Sequence, residues 1–441
     1  MKKLSKFLSF ILFLCLNQGF VKAQDNMPNR EQRIYDLSVI WKEIQYNFVF
    51  AETLQKVNID SLYLAYLPKV EQVNNLYEYY RVLNLFTAHF NDSHTRIYAI
   101  DRPDVPPPLE VINFGEIVIV SNIAKSMSDK IPVGSEIMKV NNIPTVEFVK
   151  DSIFPYIGAT TSHWKFSKSV NEMFYGFSQT TVKVTVKTPE GKENEVEIIR
   201  GMKEDMVDTT SFTPISIKIM DDNIGYIHFA SCQPNYRQTI DSVFLSWIPQ
   251  LRNCKGLIVD IRGNRGGSIQ TWLMMAACLN DSVNNYGTHF SRKYIPTYKM
   301  WGASYEPYKD YYLGTAMEEI ESYPIRTNIP DTMKLRQPLV VVSDHFVGSA
   351  TEWFLALMKE SGRATVVGTS SIGALTEPML IPLTGSFYVM IAVKKYINPD
   401  GTDYNLTGIL PDIEVERDYE SYLQRKDNVL ERAIEELRKI R

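Results

Sequence analysis

The sequence predicts a layered α/β core that follows a helical segment and a small β domain. From residue 205 onward, continuous apolar strands alternate with helical stretches, as they do where helices cover a largely parallel sheet. Before residue 104 the apolar residues instead recur at helical spacing, and between residues 105 and 203 short strands and turn signals dominate. The chain has 441 residues, which is enough for two or three domains.

The first residues have the order of a secretory signal peptide. Three lysines precede an apolar run from Phe7 to Leu16, and a small-residue cleavage pattern ends at Ala23. The apolar run is too short to span a bilayer, and the bulky residues before Cys15 disfavour a lipoprotein cleavage site. We therefore expect residues 1–23 to be removed and the product to be exported, periplasmic or secreted, without stable membrane insertion.

Charge and cysteine content exclude several classes of function. Removing residues 1–23 takes four lysines and no acidic residue from the 47 basic and 51 acidic residues of the chain, which leaves a net charge of −8. Such a chain has no basic surface for nucleic acid. The three remaining cysteines, Cys232, Cys254 and Cys278, allow at most one intramolecular disulfide and have no metal-site spacing. We expect neither a metal nor a cofactor.

Residues 24–104 are predicted to be the helical segment. Its packing faces are marked by apolar residues at helical spacing, namely Ile34, Leu37, Trp41 and Ile44, and Leu76, Tyr80, Leu83 and Phe90. A run of three prolines from Pro106 then breaks regular structure. Residues 105–203 are predicted to form the β domain, with a strand over 116–120 and a hairpin whose turn lies at 189–192.

The β domain contains the stretch Val133-Gly134-Ser135-Glu136-Ile137-Met138-Lys139-Val140-Asn141-Asn142. This stretch resembles the Gly-x-x-Ile-x-x-Val-Asn-Gly segment of PDZ domains, with Asn142 in place of the last glycine. The resemblance implies a domain that binds extended peptides at a sheet edge. A small β domain without a ligand is the alternative interpretation.

Residues 204–441 are predicted to form the α/β core. The stretch 284–335 is rich in Tyr and Pro and is predicted to be an inserted loop region near the site. The predicted strands are Ile224–Phe229, Gly256–Ile261, Leu339–Val342, Thr365–Gly368 and Phe387–Ile391, and the predicted helices are Gln238–Trp247, Thr271–Leu279 and Ala350–Lys359.

Two turns in this core carry the candidate chemistry. One buried strand ends in Gly263-Asn264-Arg265-Gly266-Gly267, a turn whose freed backbone N–H groups could stabilise an oxyanion. Another strand leads through a short loop to Ser349, which immediately precedes a helix, where the helix dipole favours negative charge. Ser349 alone would fit a simple N-cap; its combination with the glycine turn favours a nucleophile.

Together these motifs resemble the S41 serine peptidases, the family of C-terminal processing and tricorn-type peptidases. The motifs that carry the resemblance are Tyr226 to Phe229, Asp260 to Gly267, Gly348 to Glu352, and Gly408-Ile409-Leu410-Pro411-Asp412. The resemblance implies an S41-type, ClpP/crotonase-like core with Ser349 as the nucleophile. It also implies an oxyanion hole formed by the N–H of Ala350 and that of Gly266 or Gly267.

The general base of this chain must differ from the one that the processing-protease branch of that family uses. There a lysine follows a glycine after the serine helix, but here Gly373-Ala374 occupies that position and no lysine lies between Lys359 and Lys394. The tricorn-type branch uses a Ser-His pair from the N-terminal part, which Ser93-His94 matches. By that resemblance His94 is the base and Ser93 helps to orient it.

A fourth member of the tricorn-type site, a glutamate, is replaced by Asn405. An asparagine can orient a histidine by hydrogen bonding but supplies no charge, and the nearby Asp403 is an alternative. His345, four residues before Ser349, has no support from the family pattern. The sequence thus predicts an exported serine endopeptidase acting on peptides or proteins. Its rivals are a non-catalytic peptide-binding protein on the same scaffold and a serine esterase.

Overall fold

The computed structural model describes residues 27–281, 288–320, 329–405 and 407–440. The predicted signal peptide, residues 1–23, lies outside the described residues. Within the described ranges, no helix is both long enough and apolar enough to cross a membrane.

The N-terminal part is helical, as predicted. Asn29 caps the first helix through a reciprocal capping box with Gln32, which satisfies free N–H groups at the helix start. Of the residues predicted to mark the packing faces, Leu37, Ile44, Leu83 and Phe90 are buried, whereas Ile34, Trp41, Leu76 and Tyr80 are half-buried. The helices are α1 (Arg30–Asn47), α2 (Ala51–Lys56), α3 (Ile59–Gln72) and α4 (Leu76–Ala88), and the strand β1 (Arg96–Ala99) follows them.

An antiparallel β domain comes next in the chain. Its strands lie in the order β2-β3-β4-β6-β7, with β5 beside β4, and the predicted hairpin joins β6 to β7. Gly191 in that turn has φ of +86°, which explains the glycine. The elements are β2 (Leu109–Phe114), β3 (Ile117–Ile123), β4 (Glu136–Val140), β5 (Ile143–Pro144), α5 (Thr145–Phe148), α6 (Ser162–Glu172), β6 (Thr181–Lys187) and β7 (Glu193–Ile199).

The rest of the chain builds the core and a third sheet. Its strands are β8 (Ile215–Met220), β9 (Ile224–Phe229), β10 (Gly256–Asp260), β11 (Thr288–Arg292), β12 (Met317–Ile320), β13 (Leu339–Ser343), β14 (Thr365–Gly368), β15 (Thr376–Pro382), β16 (Phe387–Ile397) and β17 (Ile413–Glu414). Its helices are α7 (Arg237–Leu251), α8 (Leu273–Leu279), α9 (Pro296–Trp301), α10 (Lys309–Leu313), α11 (Ala350–Glu360), α12 (Tyr419–Leu423) and α13 (Asn428–Ile440).

The core sheet has the order β17-β14-β13-β10-β9-β8 and is parallel except for β8. Strands β10 and β13 are buried along their whole length. Helices α7, α8 and α11 pack on one face, and α13 packs on the other through Val429, Ala433 and Leu437. The predicted layered α/β core is therefore confirmed. The adjacent parallel strands β10 and β13 bring the glycine turn and the serine loop to the same edge of the sheet.

The third sheet was not predicted, and the strand predicted at Phe387–Ile391 belongs to it rather than to the core sheet. Strand β16 pairs with β1, β11 and β15, and β12 completes the sheet beside β11. The expectation of an irregular loop over 284–335 is wrong for its described part, since β11, β12, α9 and α10 lie there. Strands β1 and β16 are far apart in the sequence, so no short segment predicts their pairing. Strand β15 contains Pro378 and Pro382, residues that are unfavourable within a sheet, and it was therefore not predicted as a strand.

The sequence left open whether two of the three core cysteines form a disulfide. Cys232, Cys254 and Cys278 are all buried, and none of them is bonded to another. Burial raises the pKa of the Cys232 thiol to about 12, so the thiol stays protonated, and its Sγ lies 3.3 Å from the Thr351 Oγ1.

Candidate active site

The serine loop holds its central residue in a strained conformation. Ser349 lies between the end of β13 and the start of α11, with φ of +53° and ψ of −125°. A residue with a Cβ rarely adopts positive φ, and such strain collects at functional sites. Sharp strand-to-helix turns of this type present nucleophilic serines in other hydrolases. The side chain is partly exposed, so solvent or a substrate can reach it.

The glycine turn lies directly against this serine. A Cβ added to Gly266 would come within 2.7 Å of the Ser349 Cβ and 2.9 Å of the Ala350 nitrogen, so a larger residue would displace the loop. At Gly267, with φ of +143°, a Cβ would come within 2.4 Å of the Cys232 carbonyl oxygen. Glycine is thus required at both positions, because a side chain at Gly266 would collide with Ser349 and one at Gly267 would collide with Cys232. The structure brings together the two turns that the sequence singled out.

The backbone N–H groups beside Ser349 differ in availability. Ala350 opens helix α11, and its N–H donates no hydrogen bond to any described residue. The N–H of Gly266 donates to the Asn264 Oδ1 at 3.1 Å. The N–H of Gly267, by contrast, has no acceptor among the described residues. Of the two glycines proposed from the sequence, Gly267 therefore has the N–H that remains available.

Asn264 fixes the two turns to each other, a role that the sequence analysis missed. Its side chain is fully buried. Its Oδ1 accepts a hydrogen bond from the Thr351 hydroxyl at 2.7 Å, its Nδ2 donates to the Phe229 carbonyl at 2.9 Å, and its carbonyl accepts from the Gly348 N–H at 3.1 Å. Asparagine is common in turns, so its presence between glycines gave no separate signal.

Glu352 connects the serine loop to the segment that follows β14. Its carboxylate is fully buried and accepts hydrogen bonds from the N–H groups of Ser349 (2.8 Å), Gly373 (2.7 Å) and Ala374 (2.8 Å) and from the Ser371 hydroxyl (2.6 Å). Burial raises the pKa of Glu352 to about 7, and these hydrogen bonds act in the opposite direction. Ala374, which stands where the lysine was sought, contributes only its backbone.

His94 is buried and held at one ring nitrogen. Its backbone N–H donates to the Asp92 Oδ2 at 3.1 Å, and its Nδ1 lies 2.6 Å from the Thr376 Oγ1. Thr376 comes two residues after Ala374, so one segment contacts both Glu352 and the histidine. Among the described residues, Nδ1 is the only ring nitrogen of His94 that has a hydrogen-bond partner.

The surroundings of His94 keep its imidazole uncharged. The pKa of His94 is lowered to about 3, mainly by burial and in addition by the nearby charges of Arg96 and Lys168. The ring is therefore neutral at physiological pH, which is the state that can accept a proton.

Ser93 does not bond to the histidine that follows it. Its Oγ lies 3.0 Å from the Thr160 Oγ1 and accepts a hydrogen bond from the Thr160 N–H at 3.1 Å. This reciprocal pair attaches the histidine loop to the β domain. Thr376, which the sequence analysis missed, is the residue that contacts the imidazole.

Asn405 lies close to the same segment but is turned toward Asp403. Its Nδ2 donates to the Asp403 Oδ1 at 2.8 Å, whereas its own Oδ1 is buried and has no partner among the described residues. Asp403 also pairs with Lys395 at 3.3 Å. Neither of the two candidates for the fourth position hydrogen bonds to His94 in the described structure.

His345, the other histidine near the serine loop, contacts a different residue. Its Nδ1 lies 3.1 Å from the Thr369 Oγ1. Within the described ranges, no group of three or more His, Cys, Asp or Glu side chains is arranged to hold a metal ion.

Comparison with protein families gives two matches. Residues 223–415 match the model of Peptidase family S41, and residues 29–88 match that of the Tricorn protease C1 domain. Two similar curated proteins are processing proteases. The carboxyl-terminal-processing protease of Picosynechococcus sp. is 24% identical over 76% of this chain and 72% of its own length. The carboxy-terminal processing protease CtpB of Bacillus subtilis is 24% identical over 45% of this chain and 35% of its own length.

Solved structures share the fold. Mature CPAF aligns with a TM-score of 0.67 at 14% identity, covering 89% of this chain and 94% of that one. A putative peptidase from Parabacteroides merdae aligns with a TM-score of 0.52 at 18% identity, covering 93% and 97%. These matches confirm the resemblance that the sequence motifs indicated.

Proposed function

We propose that this chain, whose residues 223–415 match Peptidase family S41, is an exported serine endopeptidase that works through an acyl-enzyme on Ser349 with His94 as general base. The observation that carries the proposal is the strained Ser349 turn, packed against Gly266 and next to the available N–H of Ala350. A positive-φ serine between a strand and a helix, with donors beside it, is suited to acyl transfer.

In the proposed first step His94 Nε2 takes the proton of the Ser349 hydroxyl while Oγ attacks the peptide carbonyl. The C–N bond then breaks, and the leaving amine receives that proton from the imidazolium. Water hydrolyses the resulting ester by the same route, with His94 again as base. The contact between His94 Nδ1 and the Thr376 hydroxyl supports the use of Nε2. If Nδ1 carries the hydrogen of the neutral ring and donates it to Thr376, Nε2 has a lone pair that can accept a proton.

The N–H groups of Ala350 and Gly267 are proposed to hold the oxyanion. Ala350 directly follows Ser349, and Gly267 directly follows Gly266, the residue that packs against Ser349; both N–H groups lack an acceptor among the described residues. Fixed donors of this kind stabilise the charge that develops on the carbonyl oxygen. Glu352 and Asn264 would act indirectly, by holding the serine loop and the glycine turn in place.

The β domain is proposed to present the peptide. Its antiparallel sheet and the PDZ-like stretch over 133–142 support binding of an extended chain by strand addition. Export is proposed from the signal-peptide pattern of residues 1–23. The attachment of the Ser93 loop to Thr160 supports coupling between the β domain and the histidine.

The proposal is tested by covalent labelling and turnover. A fluorophosphonate should label the wild-type protein at Ser349, and Ser349→Ala should lose both labelling and at least about 10³-fold of peptide turnover. Ser343→Ala is the matched control, because this buried serine at the end of β13 has a hydroxyl without a partner. Turnover retained in purified Ser349→Ala protein would rule out the mechanism.

Ala374 in place of the lysine and the uncharged Asn405 in place of the glutamate favour a second candidate, a non-catalytic peptide-binding protein on the same scaffold. That candidate predicts peptide binding without any labelling of Ser349. An esterase would be labelled at Ser349 and would turn over esters but not peptides.

A further inference from the structure

Helices α9 and α10 and the turn between them form an exposed aromatic hairpin, residues 296–313. Helix α9 ends at Gly302, where an added Cβ would come within 2.1 Å of the Tyr308 carbonyl oxygen, so the two halves of the hairpin are in close contact. Of its residues only Gly302 is buried, and the hairpin contributes no residue to the hydrophobic cores of the described chain. Its apolar side chains therefore have no part in stabilising those cores.

Five aromatic rings of the hairpin form one continuous cluster. The rings of Tyr298 and Tyr308 stack with their centroids 4.2 Å apart and an angle of 7° between their planes. Trp301 and Tyr305 extend the cluster, with centroids 6.0 and 5.4 Å from that of Tyr308. Tyr311 packs edge-on against Tyr298 at 5.2 Å. Because neighbouring rings hold each other in place, a partner that bound them would cost little additional side-chain entropy.

Much of this cluster faces solvent. Trp301 is 52% exposed and Tyr305 is 56% exposed, and the neighbouring Met300 is 75% exposed. Tyr312 and Leu313, at the end of α10, are exposed as well. A contiguous exposed patch of large apolar residues indicates a binding surface, whereas single exposed apolar residues do not.

The charge of the hairpin disfavours anionic partners. Lys299 and Lys309 are balanced by Glu306 and Asp310, so the hairpin is neutral, and the whole chain has a net charge of −4. A surface segment that binds anionic membranes has an excess of Lys and Arg, which this hairpin lacks. Binding of nucleic acid requires the same excess. The partner is therefore expected to be uncharged.

The arrangement of the rings disfavours two further classes of partner. Quaternary ammonium groups bind in aromatic cages, whose rings stand apart around a central space. The stacked rings of Tyr298 and Tyr308 leave no such space between them. A second copy of the chain would form a standard interface with about 20–30 residues on each side, which is more than the whole hairpin contains.

We propose that the aromatic hairpin binds a neutral polysaccharide by stacking sugar rings on Trp301 and Tyr305. The C–H groups on the face of a pyranose ring carry partial positive charge and pack against the negative face of an aromatic ring. The tyrosine hydroxyls of the cluster can exchange hydrogen bonds with sugar hydroxyls. No residue of the candidate active site belongs to the hairpin, so the inference does not depend on the proposed peptidase function.

Binding is tested by titrating the purified protein with cellohexaose, chitohexaose, mannohexaose and xylohexaose, followed by tryptophan fluorescence and calorimetry. At least one of these neutral sugars should bind, and Trp301→Ala and Tyr305→Ala should each weaken that binding at least about tenfold. Tyr35→Ala is the matched control and should change the affinity by less than about twofold, because Tyr35 is 67% exposed but lies on α1, outside the hairpin. No binding of any of the four sugars, or binding that survives both hairpin substitutions, would overturn the inference.

Two other occupants of the hairpin are tested in parallel. Sedimentation velocity detects a second copy of the chain, and co-sedimentation with vesicles of phosphatidylglycerol and phosphatidylcholine detects a membrane. A dimer that Trp301→Ala dissociates, or vesicle binding that Trp301→Ala abolishes, would assign the hairpin to that partner and overturn the inference. Labelling of Ser349 is read on the same preparations. Sugar binding without labelling would refute the proposed function alone, and labelling without sugar binding would refute the inference alone.

Discussion

The surroundings of Ser349 and those of His94 differ in how completely their polar groups are paired. Near the serine, Asn264 and Glu352 are buried, and every side-chain oxygen and nitrogen of both has a partner. Near the histidine, Asp92 Oδ1 and Arg96 Nε are buried and lack a partner in the described structure. Buried polar atoms are nearly always paired in folded proteins. The two side chains that hold the serine loop, Asn264 and Glu352, are thus fully paired, whereas Asp92 and Arg96 beside the histidine each keep a buried polar atom that is unpaired among the described residues.

The difference follows from how each side is assembled. The glycine turn and the serine loop follow adjacent parallel strands, so the sheet register positions them. The histidine side is built from the loop before β1, helix α6, the start of β15 and the loop around residue 405. Contacts among such distant segments are fixed only by the packing of three separate sheets.

The largest expected effect tests whether the histidine side is catalytic at all. His94→Ala should lower kcat/KM by about 10²–10⁴-fold, because the general base is lost. His345→Ala, the control, should stay within about twofold, since its imidazole contacts Thr369 instead. Peptide cleavage assays measure both variants. Equal activity of the two would show that another group is the base.

A smaller effect tests whether the hydrogen bonds of Asn264, which hold the glycine turn against the serine loop, matter for turnover. Asn264→Ala removes the acceptor for Gly266 and Thr351, and we expect kcat to fall by about 10–100-fold with little change in KM. The free energy of unfolding should fall by about 1–3 kcal/mol. Asn113→Ala, in the hairpin between β2 and β3, is the control. A loss of stability at unchanged kcat would limit Asn264 to a structural role.

The hydrogen bond between Thr376 and His94, which orients the proposed base, is expected to affect kcat less. Thr376→Val keeps the shape but removes the hydroxyl at the His94 Nδ1, and we expect kcat to fall about tenfold. Thr376→Ser should restore most of the activity because it keeps the hydroxyl. Steady-state kinetics of the two variants separates them, and equal values would mean that this hydroxyl does not orient the ring.

The smallest effect concerns stability and pH. The pKa of His94 is lowered from 6.5 to about 3 in the folded chain, so between those values the unfolded chain binds a proton there that the folded chain does not. The free energy of unfolding should therefore fall on acidification below about pH 6.5, by up to about 1.4 kcal/mol per pH unit from this group.

That dependence is measured as the difference between wild type and His94→Gln in urea unfolding at pH 7, 6 and 5. The difference isolates the histidine, because burial raises the pKa of Asp92 and Glu352 in both proteins. Parallel stability curves would show that His94 is not buried as a neutral group.

The sequence predicted the serine side well, because its signals are local. Glycines that approach another backbone and a serine at a strand-to-helix turn are both visible in short segments, and the layered core follows from apolar strands between helices. Asn264 and Thr376 escaped notice because their function depends on partners that only the fold supplies. The third sheet was missed for the same reason, since β1 has no pairing signal of its own. The catalytic roles of Ser349, His94, Ser93 and Asn405 stay predictions.

The pairing of β1 with β16 has a consequence for the timing of activity. A ribosome that has synthesised the chain only as far as residue 375 has made His94 and Ser349 but neither Thr376 nor β16, the strand that pairs with β1. Nascent and C-terminally truncated chains are therefore expected to be inert. Such latency would protect the cell from this enzyme until the full-length polypeptide has folded.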